Sequence, residues 1–279
     1  MSTWRTLVAD NPLLRLLLSS SVRTFTRSGL KSTATAVWLV VGVIVSLAAL
    51  AAYYAEFLAW QFLLLPLLAI VILIPLAVLH SSIAGEREKR SIEVLLVAPL
   101  SSAQIIVAKL SKGVLPVAIS MVTFVPIAAA IELGHIGKPS AVQPLSAVPA
   151  GLTFTLSMLL LVSSAALSAG VTMFVSSRSR TTAAALIGSL FVLLTWIVGS
   201  PILAGAVSGF GGTSGMDSAI MLANPFFTMG QLCLDRSAAQ SILVRNSLGL
   251  SVALLALSFA LIVGAQYSLR DHKRSKTDA

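Results

Sequence analysis

Six stretches of this chain are each long and apolar enough to cross a lipid bilayer as a helix. A helix needs about 20 mainly apolar residues to cross roughly 30 Å of hydrocarbon. The stretches are residues 34–54, 57–80, 113–133, 148–175, 182–206 and 248–269. The sequence therefore predicts an all-α integral membrane protein, with a single transmembrane domain of six spans over residues 1–279.

The composition excludes a soluble protein. Hydrophobic residues make up 57% of the chain and charged residues only 10%, whereas a soluble domain is about half apolar and about a quarter charged. So few charged side chains cannot cover a soluble globule of this size. The net charge of +9 would suggest nucleic acid in a soluble protein. In a membrane protein it describes an orientation instead, and no nucleic-acid partner is expected.

The Lys and Arg residues predict that orientation, because cytoplasmic loops carry an excess of them. Of the 19 in the chain, sixteen fall before the first span, after the sixth, or in the loops that share their side. The other side holds Lys138, Arg236 and Arg245. We therefore expect both termini in the cytoplasm. Arg178 and Arg180 form a short inner turn between the fourth and fifth spans.

Two segments outside the spans are expected to lie in the membrane interfaces. Residues 11–30 start with an Asn-Pro pair, which favours a helix start, and then alternate apolar residues with arginines. This pattern predicts a basic amphipathic helix in the inner interface, and a disordered basic tail is the alternative. Residues 208–240 are apolar but are divided by Asn224-Pro225. We expect two short re-entrant helices there, with a seventh and eighth span as the alternative.

Prolines occur inside several predicted spans, namely Pro66, Pro75, Pro116, Pro126 and Pro201. A proline inside a membrane helix frees a backbone carbonyl, and a neighbouring helix usually satisfies it. We therefore expect these positions to face other parts of the protein rather than lipid.

The cytoplasmic loop of residues 81–112 carries the most information. Its charged stretch contains the candidate acids Glu86, Glu88 and Glu93. Apolar residues at helical spacing follow, until Pro99 ends the pattern. Ser101 or Ser102 can then cap a second short helix. The pattern predicts two short amphipathic helices separated by a proline elbow, which would be a docking surface with apolar anchors rimmed by charge.

This loop resembles the cytoplasmic signature of ABC-2 type transporter permeases. In that family a Glu-rich, Glu-x-Leu-Leu, Pro-Leu-Ser, Gly-Lys-Leu sequence follows the second span. The matching residues are Glu86, Glu88, Glu93, Leu95, Leu96, Pro99, Ser101, Lys109 and Leu110. Arg90-Ser91 replaces the usual Gly-Thr pair, and Ala108 replaces the glycine before the lysine. The basic inner turn and the predicted topology are also similar, so the resemblance covers nearly the whole chain.

The resemblance implies a permease subunit in the plasma or inner membrane of a prokaryote. It would pair with a second copy or a homologous permease, and a separate ATP-binding cassette ATPase would hold ATP and Mg. A short coupling helix from Ser101 to Lys109 would sit in a cleft of that ATPase, and it would carry Gln104, Ile105 and Ile106. The acids would belong to a gate helix that forms ion pairs with the ATPase or the partner permease. Their alternative is a solvated face, paired with neighbouring basic residues at helical spacing.

The chain itself carries no recognisable catalytic, cofactor or metal site. A P-loop needs Lys-Ser or Lys-Thr after its second glycine, but Gly137-Lys138 is followed by Pro139. The Gly-x-Ser-Gly of rhomboid-type proteases occurs at residues 212–215, in a predicted outer loop and with no mid-span histidine to serve as base. The single cysteine and three histidines are too dispersed for a metal site.

The predicted spans are almost free of ionisable residues in their centres. Secondary carriers usually place such residues near mid-membrane, but Glu56, His80 and Glu132 lie at span ends. We therefore expect an ATP-driven exporter of an amphiphilic or hydrophobic cargo, and not an enzyme. The alternatives are a non-transporting scaffold or assembly factor that recruits a soluble partner, and an ATP-independent secondary carrier.

Overall fold

The structure, a computed structural model, describes residues 61–89, 100–135, 150–209, 220–234 and 240–277. Within these ranges the regular secondary structure is entirely helical. The predicted interfacial helix of residues 11–30 and the first predicted span lie outside the described residues. So do Glu93 and Pro99.

The described part of the chain forms seven named helices. They are α1 (Gln61–Leu79), α2 (Ala84–Glu88), α3 (Ser102–His135), α4 (Ala150–Arg178), α5 (Thr182–Gly209), α6 (Pro225–Leu234) and α7 (Gln240–Thr277). Five helical stretches in this part, involving α1, α3, α4, α5 and α7, are long and apolar enough to cross a membrane. These findings support an all-α integral membrane protein, and each of the five stretches overlaps one of the second to sixth predicted spans.

The predicted short helix from Ser101 to Lys109 is not a separate element. It forms the first turns of α3, which continues for 34 residues through the third predicted span. The sequence from residue 102 to residue 112 contains no glycine or proline, so nothing stops the helix before Gly113. At Gly113 a Cβ atom would come within 2.7 Å of the Leu79 side chain. The missing side chain therefore allows α1 and α3 to pack closely without interrupting α3.

The last helix also differs from its prediction. The sixth span was predicted to begin at residue 248, but α7 begins at Gln240 and has 38 residues. Arg245, predicted in an outer loop, therefore lies within a helix. The residues just before 248 include Ser241, Ile242, Leu243 and Val244, so the apolar stretch reaches past the arginine.

The core of the bundle is built around α4. This helix contacts α1, α3, α5, α6 and α7. In its most apolar stretch of 18 residues, 67% is buried. Leu160 and Leu161 of α4 pack with Leu68 and Ile72 of α1 in the main apolar cluster. By contrast, only 11% of the most apolar 18-residue stretch of α5 is buried. Within the described residues, the outer faces of α5 are thus largely uncovered.

Polar side chains supply hydrogen bonds at the prolines. Pro201 has no N–H, so the carbonyl of Ile197, four residues earlier in α5, lacks its usual helical donor. The Asn224 Nδ2 atom donates to that carbonyl at 2.6 Å. This finding confirms at Pro201 that a neighbouring segment satisfies the freed carbonyl. In α1, Ser168 Oγ of α4 donates to the carbonyl of Ile72 at 2.5 Å, one residue after the carbonyl that Pro75 leaves without its helical donor.

Candidate functional site

Most of the predicted coupling residues that the structure describes meet at one end of the bundle. We call this the charged end: it comprises α2, the first turns of α3, the turn of residues 179–181 between α4 and α5, and the last turns of α7. Side-chain bonds from α2 reach α3, α4 and α5 there. The described parts of the loops that the charge distribution predicts on one side of the membrane therefore lie together in the fold.

The start of α3 is fixed by a reciprocal pair of hydrogen bonds. Ser101 Oγ accepts a bond from the Gln104 backbone N–H at 3.2 Å, and Gln104 Oε1 accepts one from the Ser101 backbone N–H at 2.9 Å. This arrangement is a capping box, which satisfies two N–H groups at a helix start. The prediction that a serine at this position caps a helix is confirmed for Ser101.

Glu86 and Lys109 form an ion pair between α2 and α3. The Lys109 side chain is only 4% exposed, and that of Glu86 is 28% exposed. A buried ammonium group is costly unless an opposite charge and hydrogen bonds compensate for it. Glu86 near the start of the loop of residues 81–112 and Lys109 near its end are thus held together. The ion pair joins α2 to the start of α3.

The next two residues of α2 bind the ends of two long helices. Arg87 donates to the carbonyls of Ser179 and Ser177, at 3.1 and 2.9 Å, where α4 ends. Glu88 Oε2 accepts bonds from the backbone N–H and hydroxyl of Thr182, at 3.0 and 2.9 Å, where α5 begins. A cation favours the negative end of a helix dipole and an anion favours the positive end. Adjacent opposite charges therefore clamp the α4–α5 turn.

The segment before α2 is held by one serine of α4. Ser176 Oγ accepts bonds from the backbone N–H groups of Ile83 and Ala84, at 3.2 and 3.1 Å, and donates to the carbonyl of His80 at 2.9 Å. These bonds satisfy backbone groups at the turn between α1 and α2. The position of α2 is therefore defined relative to α4 by both its backbone and its side chains.

Ile105 and Ile106 do not form apolar anchors for a soluble partner. Their side chains are 2% and 1% exposed, and they belong to an apolar cluster between helices. The cluster also contains Leu79, Ile83, Ala169, Met173, Ala265 and Leu269. Hydrophobic spacing predicts the apolar face of a helix but not what covers it, and here other helices of the same chain cover both isoleucines. The open face of this segment contains Ala103, Gln104 and Val107, which are partly exposed.

The two arginines of the basic inner turn have different surroundings. The Arg178 guanidinium lies over the Phe174 ring, 4.4 Å from its centroid, whereas Arg180 is exposed. Sequence reasoning did not identify Arg87, Ser176 and Thr182 as parts of the site. The sequence did offer one signal for Thr182. It is the first residue of a predicted helix, and the N–H groups at a helix start favour a carboxylate partner.

Comparison with known proteins gives one family match. A family model described as ABC-2 family transporter protein matches residues 71–268, which is more than half of the chain. The matched range begins within α1 and ends within α7, so it includes the residues that join α2 to α3, α4 and α5. No curated protein matches the chain.

Proposed function

The chain belongs to the ABC-2 transporter family, and on this premise we propose that it is the permease subunit of an ATP-driven exporter. The proposed location is the plasma or inner membrane of a prokaryote, with both termini and the charged end in the cytoplasm. ATP and Mg would bind to a separate ATP-binding cassette ATPase. The cargo would be amphiphilic or hydrophobic.

The linkage at the charged end carries the proposal. A force applied to the start of α3 acts on α2 through the Glu86–Lys109 pair. It continues to the end of α4 through Arg87 and to the start of α5 through Glu88. Because α3 is one continuous helix, displacement of its first turns also tilts the rest of that helix. ATP-driven closure of two ATPase subunits could thereby change access along the permease.

The ATPase would contact the open face at the start of α3. Ala103 and Val107 are four residues apart, and Gln104 lies beside them, so all three share one side of the helix. Their partial exposure leaves surface for a partner, whereas Ile105 and Ile106 are covered. The gate acids would then act through the permease's own helices, rather than by direct contact with the ATPase.

A second permease would pack against α5. Its large exposed residues include Ile187, Phe191, Leu194, Val198 and Ile202. Their spacing of three or four residues places them along one stripe of the helix. Phe191 is 70% exposed, so the described part of the chain leaves the stripe uncovered. We infer that a second copy or a homologous permease covers it.

A matched pair of substitutions tests the docking face. Ala103→Glu and Ala183→Glu each introduce an acid at the second residue of a helix, where the helix dipole tolerates it. The first changes the open face of α3, and the second changes the exposed start of α5. With the ATP-binding cassette ATPase that pairs with this chain, we expect Ala103→Glu to weaken binding and ATP-dependent transport about tenfold or more. Ala183→Glu should preserve both.

The alternatives predict different results in liposomes containing both subunits. A scaffold would bind the ATPase without ATP-dependent flux, and a secondary carrier would show gradient-driven flux without ATP. Either result contradicts the proposed function. Equal losses in the two variants would contradict the assigned docking face.

A further inference from the structure

A cavity of about 580 Å³ lies at the end of the bundle opposite the charged end. The last turns of α5, the helix α6 and the first turns of α7 line this partly open cavity, together with Met221 and Leu222. Its volume falls in the range of about 300–1,000 Å³ that is usual for small-molecule sites. The residues that join α2 to its neighbours do not line it, so it is distinct from the proposed coupling region.

The cavity combines apolar walls with one positive charge. Pro201, Phe227 and Ile242 are among its apolar lining residues, whereas Arg245 is its charged residue. None of the lining residues in the described part of the chain is acidic. Gln231 and Asn246 add amide groups, each of which offers two N–H donors. The polar part of the cavity therefore suits an anion, and the rest suits an apolar group.

Arg245 supplies the positive charge of the cavity. It is exposed and lies four residues after the start of an apolar stretch of α7 that extends from Ser241 to Arg270. An arginine near the end of a membrane helix can extend its side chain to the interface, where lipid head groups lie. Within the described part of the chain, Arg245 takes part in no ion pair. A guanidinium can bind a phosphate or carboxylate through two parallel hydrogen bonds.

The walls of the cavity are held in place before a ligand binds. Asn224 donates to the Ile197 carbonyl and to Ser200 Oγ, at 2.6 and 3.0 Å, while its Oδ1 accepts the backbone N–H of Phe226 at 2.9 Å. Trp196 Nε1 adds a bond to the carbonyl of Ala223 at 2.9 Å. These bonds join α6 to α5. A preformed cavity loses less binding energy to ordering than a flexible one.

The apolar wall reaches the outer surface of the bundle. Ile242 lines the cavity and is nevertheless 44% exposed. On α5, exposed Ile202 and Leu203 lie beside the lining residues Pro201 and Ala204. An apolar chain could therefore extend from the cavity along this surface into surrounding lipid. A small soluble anion would use only the polar part.

We propose that this cavity binds an anionic amphiphile such as a phospholipid, with its head group at Arg245, Asn246 and Gln231 and its apolar chain along α5 and α7. The site is built by this chain alone, so the permease binds the lipid without an ATPase. The proposal therefore stands or falls independently of ATP-driven transport.

The test uses the purified full chain in neutral phosphatidylcholine nanodiscs, titrated with phosphatidylglycerol and followed by native mass spectrometry. We expect saturable binding that Arg245→Gln weakens about tenfold or more. Arg270→Gln is the control, because it removes an exposed arginine near the other end of α7. It should leave the affinity unchanged. Equal affinity in the wild type and in Arg245→Gln would overturn the proposal. That result is expected if Asp217 or Asp235 neutralises the arginine.

A second variant tests the cavity without removing charge. Gly205 lines the cavity, and a Cβ atom added there would meet no other heavy atom within 4 Å. Gly205→Leu should therefore fill the space without a backbone clash and weaken lipid binding. Gly151→Leu adds the same side chain to another open position, outside the cavity, and should not. Unchanged binding in Gly205→Leu would contradict the assigned site.

Soluble anions distinguish a lipid site from a general anion site. Inorganic phosphate and glycerol phosphate carry the anionic group without the acyl chains. We expect both to compete with phosphatidylglycerol only at concentrations at least about tenfold higher. Competition at equal concentration would refute the role of the apolar wall and leave a site for a free anion.

Discussion

Removal of Glu86 should destabilise the permease more than removal of both members of its ion pair. Glu86→Gln leaves the Lys109 ammonium without its carboxylate partner in a position where the side chain is 4% exposed. Breaking a buried pair from one side costs about 3–5 kcal/mol. Because Glu86 is 28% exposed, water weakens the original pair, so we expect the low end of that range, about 3 kcal/mol.

The reverse variant and the double variant provide the comparison. Lys109→Met leaves Glu86, which water can partly solvate, so its cost should be about 1–2 kcal/mol. Glu86→Gln with Lys109→Met removes both charges and retains side chains of similar size, so it should fall within about 1 kcal/mol of wild type. The predicted coupling free energy, which is the sum of the two single losses less the loss of the double variant, is then at least about 3 kcal/mol.

Reversible unfolding in mixed micelles, titrated with sodium dodecyl sulfate and followed by tryptophan fluorescence, measures these free energies. A double-mutant cycle isolates the coupling between the two sites. If the two single effects simply add in the double variant, the pair does not stabilise the fold. The linkage from α3 to α2 would then lose its energetic basis.

Two further substitutions test the packing directly. Asn224→Ala should lower the free energy of unfolding by about 2–4 kcal/mol, because it removes the α6 cap and leaves the Ile197 carbonyl unpaired. Adding Pro201→Ala should recover part of this loss, because it restores the helical N–H that bonds the same carbonyl. The same unfolding assay measures both variants, and no recovery in the double variant would contradict this account. Ile106→Ala should cost about 2–5 kcal/mol through lost burial, while the folded fraction binds ATPase normally. Lost ATPase binding with unchanged stability would return Ile106 to the docking surface.

The general character of the protein followed from local patterns. The length of the apolar runs is a property of consecutive residues, so five spans could be matched to helices although their boundaries shifted. The loop motif indicated the family that the match over residues 71–268 shows. Ser101 could be recognised as a cap because its partner lies three residues away.

The candidate site was harder to predict because its bonds join distant segments. Glu88 and Thr182 are 94 residues apart in sequence, and no spacing rule connects them. Hydrophobic periodicity placed Ile105 and Ile106 on a helix face, but it could not distinguish a buried face from a docking face. Their burial depends on how α3 is rotated against α1, α4 and α7.

The sequence by itself indicated that this chain is an integral membrane protein and that most of its basic residues belong to segments predicted on one side of the membrane. Both properties follow from sums over neighbouring residues, namely hydropathy over a helix length and charge over a loop. Only the tertiary structure decided that Glu86 forms an ion pair with Lys109 and that Arg245 lines a cavity. Those outcomes depend on the packing and relative rotation of helices, because two side chains interact only when the helices bring them within a few ångströms.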